Sequence, residues 1–188
     1  MKRKFLPRLL VAFVVVLTAA GDASARAGQK TLIGMVTRVS DGDTIWVNAG
    51  FLRYKVRLNH IDAPESNQPY GKESAAHLKS LIGGREVRVE YETTDRYGRL
   101  LGIVYLGAAD INLQMVRDGY AWHYRHFDKT PSYAAAEREA QSAKHGLWAA
   151  TSPVNPYQWR KGIARGSSPH PTPPNALITQ NRQIGLGN

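Results

Sequence analysis

From Phe51 to Ile61 the chain reads FLRYKVRLNHI, and its side chains alternate: Tyr54, Val56 and Leu58 stand against Arg53, Lys55 and Arg57. A period of two marks a strand with one buried and one wet face. The pattern recurs over 85–95, where Val87, Val89 and Tyr91 stand against Arg88, Glu90 and Glu92. TLIGMVTRVS (31–40), TIWV (44–47) and RLLGIVYL (99–106) complete a set of five short strands, divided by the turn signals Asp41-Gly42-Asp43 and Tyr97-Gly98. An open sheet of such strands exposes edges that other chains can pair with. A small closed Greek-key barrel removes that hazard.

Three segments carry helical spacing. KESAAHLKSLIGG (72–84) sets Ala75, Leu78, Leu81 and Ile82 on one face and ends at a glycine pair. ADINLQMVRDGYA (109–121) aligns Ile111, Leu113, Val116 and Tyr120, and PSYAAAEREAQSAKHGLW (131–148) begins at a proline and stops at Gly146. The expected class is therefore α+β, mainly β, with five barrel strands and three helices in the order three strands, helix, two strands, two helices.

The two ends read differently from the middle. Residues 1–25 carry a basic start (Lys2, Arg3, Lys4, Arg8), the apolar run Leu9 to Ala20, and Ala23-Ser24-Ala25, the pattern of an export signal cleaved after Ala25. The apolar run is twelve residues, short of the roughly 20 that span a bilayer. The expected domain occupies 26–161, and 162–188 is expected to be a disordered, Pro- and Gly-rich basic tail; residues 151–188 hold six of the ten prolines and no Asp or Glu. A secreted or periplasmic monomer with no stable membrane association follows as the expectation. No cysteine occurs, so packing alone must hold the fold in an oxidising compartment. Without the leader the chain has 21 Lys and Arg against 14 Asp and Glu, an excess that favours polyanionic partners such as nucleic acid.

The chemistry gathers in three loops: Asp41-Gly42-Asp43-Thr44, Asp62-Ala63-Pro64-Glu65 and Asp95-Arg96-Tyr97-Gly98-Arg99. Each alone reads as an ordinary turn. Together, Asp43, Asp62 and Glu65 are hard oxygen donors that prefer calcium or magnesium to zinc or copper, and Pro64 helps present the Ala63 carbonyl. Ile45 stands where an EF-hand needs another oxygen ligand, which excludes that loop. Arg57 and Arg99 supply planar forks that can meet two oxygens of a phosphoryl group at once. Glu65 can orient a water or take its proton. Acids, a divalent cation and two arginines make up the parts of phosphodiester hydrolysis. His123 and His126 lack a third ligand at metal spacing and are expected on a basic nucleic-acid surface, while His60 is expected to be structural.

VSDGDT, VRLNHIDAPE and TDRYGR, in this order, resemble the three signature segments of the staphylococcal nuclease family, and EAQSAKHGLW (139–148) extends the resemblance to Trp148. The resemblance implies an OB-type five-stranded barrel with three helices. It implies one calcium ion held by Asp43, Asp62 and the Ala63 carbonyl, where family members often carry threonine. It implies catalytic roles for Arg57, Glu65 and Arg99, phosphate contacts from Arg96 and Tyr97, and a place for Asp41 just outside the metal ligands. In AWHYRHF (121–127) an aromatic side chain is expected to stack on a base; Trp122, Tyr124 and Phe127 are the candidates, with Tyr124 taken as the substrate-binding one. The loop SNQPYGKES after Glu65 is shorter than in the best-known member. The implied activity is calcium-dependent cleavage of DNA, and of RNA, with low sequence specificity and 3′-phosphate products. Two rival readings are an inactive OB-fold nucleic-acid-binding module and an envelope protein whose basic tail binds anionic lipid.

Overall fold

The structure, a computed structural model, describes residues 28–163; the expected leader and all but the first two residues of the expected tail lie outside the described residues. Five strands form the barrel: β1 (Lys30–Asp41), β2 (Thr44–Ala49), β3 (Leu52–Leu58), β5 (Glu86–Thr94) and β6 (Leu100–Leu106). The two-residue strands β4 (Ile61–Asp62), β7 (Ala109–Asp110) and β8 (Trp122–His123) are small additions. β1, β2 and β3 form an antiparallel meander, β5 pairs with the first half of β1, and β6 is antiparallel to β5. Parallel pairing of β3 with β6, Val56 opposite Leu100 and Leu58 opposite Gly102, closes the barrel. Among the described residues, closure leaves no long strand edge open. It is the OB-type α+β architecture expected above.

β1 can serve two partners because it is irregular. Its register with β2 shifts between Val36 and Arg38 and again between Val39 and Asp41. Such bulges bend a strand and increase its twist. The alternation predicted for β3 and β5 holds: Val56, Leu58, Val87 and Val89 are buried, while the charged residues between them are more exposed.

The helices differ in detail from expectation. α1 (Gly71–Ile82) sends Leu78 and Ile82 into the core. α2 (Ile111–Arg117) is shorter than the 109–121 stripe, because Asp110 caps it, its Oδ1 accepting from the Leu113 amide, and Gly119 turns the chain left-handed at φ 76°. α3 (Pro131–Ser142) ends well before Trp148; Lys144 and Gly146 take positive φ and a 3-10 turn follows at Gly146–Ala149. A fourth helix, α4 (Pro156–Arg160), was not expected and follows an Asn155 cap and a proline start.

One buried side chain ties α2 to the barrel. Asn112 is fully buried; its Oδ1 accepts from the Val104 amide at 3.0 Å, and its Nδ2 donates to the carbonyls of Asn59 (2.9 Å) and Gly102 (3.0 Å). Asn112→Leu would strip the Val104 amide and the Asn59 carbonyl of this buried partner, while the Gly102 carbonyl keeps the Asn59 amide at 2.8 Å, so a loss of about 2 to 4 kcal/mol is expected. Urea denaturation, read as a shift of midpoint at unchanged slope, checks this.

Candidate active site

Strand pairing brings the three loops together. Thr44 lies opposite Arg57 across β2 and β3, which sets Asp43 beside the end of β3. The Leu58 amide donates to the Asp43 carbonyl at 2.7 Å and locks that turn to the strand. β4 and β8 then hold the Asp62 segment in place, with Asp62 opposite Trp122. The β5–β6 turn is fastened by Asp95, whose Oδ1 accepts from the amides of Tyr97 (2.9 Å) and Arg99 (3.0 Å). Close approach demands glycine at Gly42, where a methyl group would overlap the Ser74 hydroxyl of α1. Gly71 is under the same constraint, because a methyl group there would meet the Glu65 carbonyl.

The result is a cavity of about 500 Å³ lined by Asp41, Asp43, Arg57, Ala63, Glu65, Arg96, Tyr97, Arg99, Tyr124, Phe127 and Arg160. Asp62 lies buried at its edge and lines an adjoining groove of about 460 Å³ with Tyr124 and Tyr157. Asp43 Oδ2 accepts from the Ala63 amide at 2.9 Å and pairs with Arg57 Nη2 at 3.0 Å. The same Nη2 reaches Asp62 Oδ1 at 3.2 Å, while Nη1 donates to the carbonyls of Leu58 (2.6 Å) and Ile61 (3.0 Å). Arg57 is thus the clasp between the two acids. Arg99 shares the cavity but is anchored elsewhere, its Nε donating to Asp95 Oδ2 at 2.7 Å.

The acids are crowded. Burial, with the Asp43 charge beside it, pushes Asp41 up to about 7, and its Oδ1 accepts from the Asp43 amide at 3.0 Å. Burial also raises the Asp62 carboxyl, reinforced by Asp43 and opposed by Arg160 and Arg57. Such a pocket favours a cation. A donor set of Asp43, Asp62 and the Ala63 backbone, all hard oxygens, fits calcium or magnesium. Among the described residues no three His, Cys, Asp or Glu side chains form a metal cage, so water would complete the ligands of an ion here.

The aromatic candidates separate. Trp122 packs edge-on against Trp148, ring centroids 4.3 Å apart, and lines the adjoining groove rather than the cavity. Tyr124 and Phe127 both line it and touch each other at 4.8 Å. Arg96 and Tyr97 sit at its exposed rim, Arg96 Nη2 donating to the Tyr97 hydroxyl at 2.7 Å. One expectation about a surface residue changes. His123 is buried, only 6% exposed, because β8 draws it inward. Arg125 pairs through Nε (2.9 Å) and Nη2 (2.6 Å) with the buried Glu137.

His123 belongs to a support behind the cavity. Asp128 Oδ2 lies 2.7 Å from His123 Nε2, and its Oδ1 lies 2.5 Å from His60 Nδ1 and accepts from the Thr130 hydroxyl at 2.7 Å. Burial works against the Asp128 charge, but these partners outweigh it and hold the carboxyl below its usual range. A depressed folded pKa stabilises above the unfolded value near 3.9, and the gain is lost as pH falls through the folded pKa. Asp128→Asn is therefore expected to lose stability at pH 7 and to match wild type more closely near pH 3. Chemical denaturation at both pH values checks the sign.

Sequence reasoning gave no role to Arg160, carried by α4. Its Nη1 donates to Asp62 Oδ1 (3.0 Å) and Glu65 Oε1 (2.9 Å), and its Nη2 to Asp62 Oδ2 (2.9 Å). The cue was local: an Asn-Pro helix start at 155–156 followed by Tyr157 and Trp159, aromatic side chains able to pack the segment back on the barrel.

The sequence model of the staphylococcal nuclease homologues matches residues 55–150, a span that includes Arg57, Asp62 to Glu65 and Arg96 to Arg99. An Escherichia coli O157:H7 protein described as an uncharacterized endonuclease is 44% identical over 128 residues, 68% of this chain and 84% of that protein. The chain belongs to the staphylococcal nuclease family. An uncharacterized endonuclease of Haemophilus influenzae (strain ATCC 51907 / DSM 11121 / KW20 / Rd) is 42% identical over 127 residues, covering 67% of this chain and 71% of its own. A probable staphylococcal-like nuclease of Oryza sativa subsp. japonica, CAN2, is 44% identical over 109 residues, 58% of this chain. The match spans 30% of that plant protein, so the chain corresponds to about a third of its length. Asp43 precedes the segment matched by the staphylococcal nuclease family, and Arg160 follows it.

Proposed function

We propose that this staphylococcal nuclease family member is a hydrolase that cuts phosphodiester bonds of DNA, and of RNA, with little sequence specificity. It uses one calcium ion at Asp43, Asp62 and the Ala63 carbonyl, and it leaves 3′-phosphates. The observation that carries this reading is the single cavity lined by Asp43, Arg57, Glu65 and Arg99, with Arg96, Tyr97 and Tyr124 around them.

Calcium would supply charge neutralisation at a phosphate oxygen and help position water. Arg57, already bridging the acids, presents its charge where the phosphoryl group must sit beside them. Arg99, steered by Asp95, approaches from the opposite loop. Extra negative charge on a five-coordinate phosphorus strengthens both contacts in the transition state over the ground state. Glu65 orients the attacking water or accepts its proton. Arg96 and Tyr97 meet neighbouring phosphate, and Tyr124 offers a face to a base. Backbone contacts of this kind weaken as salt rises. The leader-like residues 1–25 support export to the periplasm or medium, with Asp41 supporting the metal ligands from beside Asp43.

Digestion of single- and double-stranded DNA and of RNA, with calcium and with chelator, tests the proposal, the product ends being identified. Cutting is expected only with calcium. Calcium is also expected to raise the unfolding free energy, by about 2.7 kcal/mol at a hundredfold excess over its dissociation constant. Cutting that persists unchanged in chelator refutes the metal role. A non-catalytic barrel would bind the oligonucleotide and yield no products.

A further inference from the structure

We propose that Arg160 is a third arginine of the reaction site. It holds Asp62 and Glu65 as their counter-cation until a divalent ion binds, and then grips the substrate phosphate. This inference rests on the cation reading above.

The two guanidinium groups on the acids are not equivalent. Arg57 is 13% exposed and also fastens two backbone carbonyls of its own loop, so it is built into the fold. Arg160 is 37% exposed, and its partners are side chains: both Asp62 oxygens and Glu65 Oε1. Its bidentate fork covers both oxygens of a carboxylate that an ion would need. A divalent ion carries twice the charge of a guanidinium at the same acids, which favours exchange.

Release would not send Arg160 far. Its segment is tied to the loop after Glu65 by Gln68 Nε2, which donates to the Val154 carbonyl at 2.6 Å, and by Trp159 Nε1, which donates to Asn67 Oδ1 at 3.1 Å. Tyr157 faces His126 across the adjoining groove, rings 6.3 Å apart. Arg160 lines the same cavity as Arg57 and Arg99. Freed from the carboxylates while its anchors hold, its fork faces the space a phosphate would fill.

Competition sets the size of the effect. A latch that leaves the site open in about 0.1 of the molecules weakens apparent ion affinity about tenfold. Calcium titration calorimetry on the full chain, without nucleic acid, is expected to show Arg160→Ala binding calcium about tenfold tighter than wild type. Trp159→Phe keeps Arg160 but removes the hydrogen bond to Asn67, and is expected to tighten calcium by about threefold. In a Glu65→Gln background at saturating calcium, Arg160→Ala is expected to bind a short single-stranded oligonucleotide about tenfold more weakly by fluorescence anisotropy. Arg160→Lys should fall between the two. Unchanged or weaker calcium binding in both single variants overturns the proposal, as does unchanged oligonucleotide binding. Absence of calcium binding in wild type overturns the cation reading itself, and this inference with it.

Discussion

Glu65→Gln is expected to slow phosphodiester hydrolysis by about two to four orders of magnitude, the range of a positioned general base. The amide keeps an oxygen that can accept from Arg160 Nη1, as Glu65 Oε1 does at 2.9 Å, so local packing should survive. Its lost capacity is electrostatic: a carboxamide neither takes a proton nor holds a water as firmly as a carboxylate. Single-turnover assays at saturating calcium separate this loss from substrate binding. Wild-type turnover in a folded Glu65→Gln protein would remove Glu65 from the mechanism.

Arg57→Ala should lose stability as well as turnover, because one side chain serves both fold and chemistry. It bridges Asp43 and Asp62 and fastens the Leu58 and Ile61 carbonyls. Its removal leaves the buried Asp43 without its guanidinium, while Asp62 keeps Arg160, and breaking such a buried pair costs about 3 to 5 kcal/mol. Turnover should fall by about three orders of magnitude through loss of a donor aimed at the developing charge. Arg57→Lys distinguishes the two roles. A point charge restores part of the stability, yet it cannot span two acids and two carbonyls, so activity should stay low. Urea midpoints and turnover measured on both variants give the answer. A lysine variant that recovers full activity would show that charge alone suffices.

The barrel was legible because its strands are amphipathic: Val56 and Leu58, like Val87 and Val89, declare their faces every second residue. The Gly42-Asp43 turn was legible from its residue types, and Asp41 does pair with Thr44 across it. Gathering the three loops needed pairing information that no local pattern contains, namely β3 beside β6 and Thr44 beside Arg57. α4 escaped because five residues hold too little periodicity, and the prolines around it imitate a linker. Arg160 escaped for a related reason. Its contact with Asp62 joins positions 98 apart, and the local cue at 155–159 marks a packed segment rather than a site residue. His123 misled in the opposite sense: HYRH reads as a basic surface, but pairing of β4 with β8 buries that histidine against Asp128.

A crystal structure with calcium and a cleavage-resistant oligonucleotide tests the central claim most directly. The expected result is one ion within about 2.3 to 2.6 Å of the Asp43 and Asp62 carboxylates and the Ala63 carbonyl, with a phosphate between Arg57 and Arg99. A phosphate bound away from both arginines, or an ion seated apart from that acid pair, would contradict it.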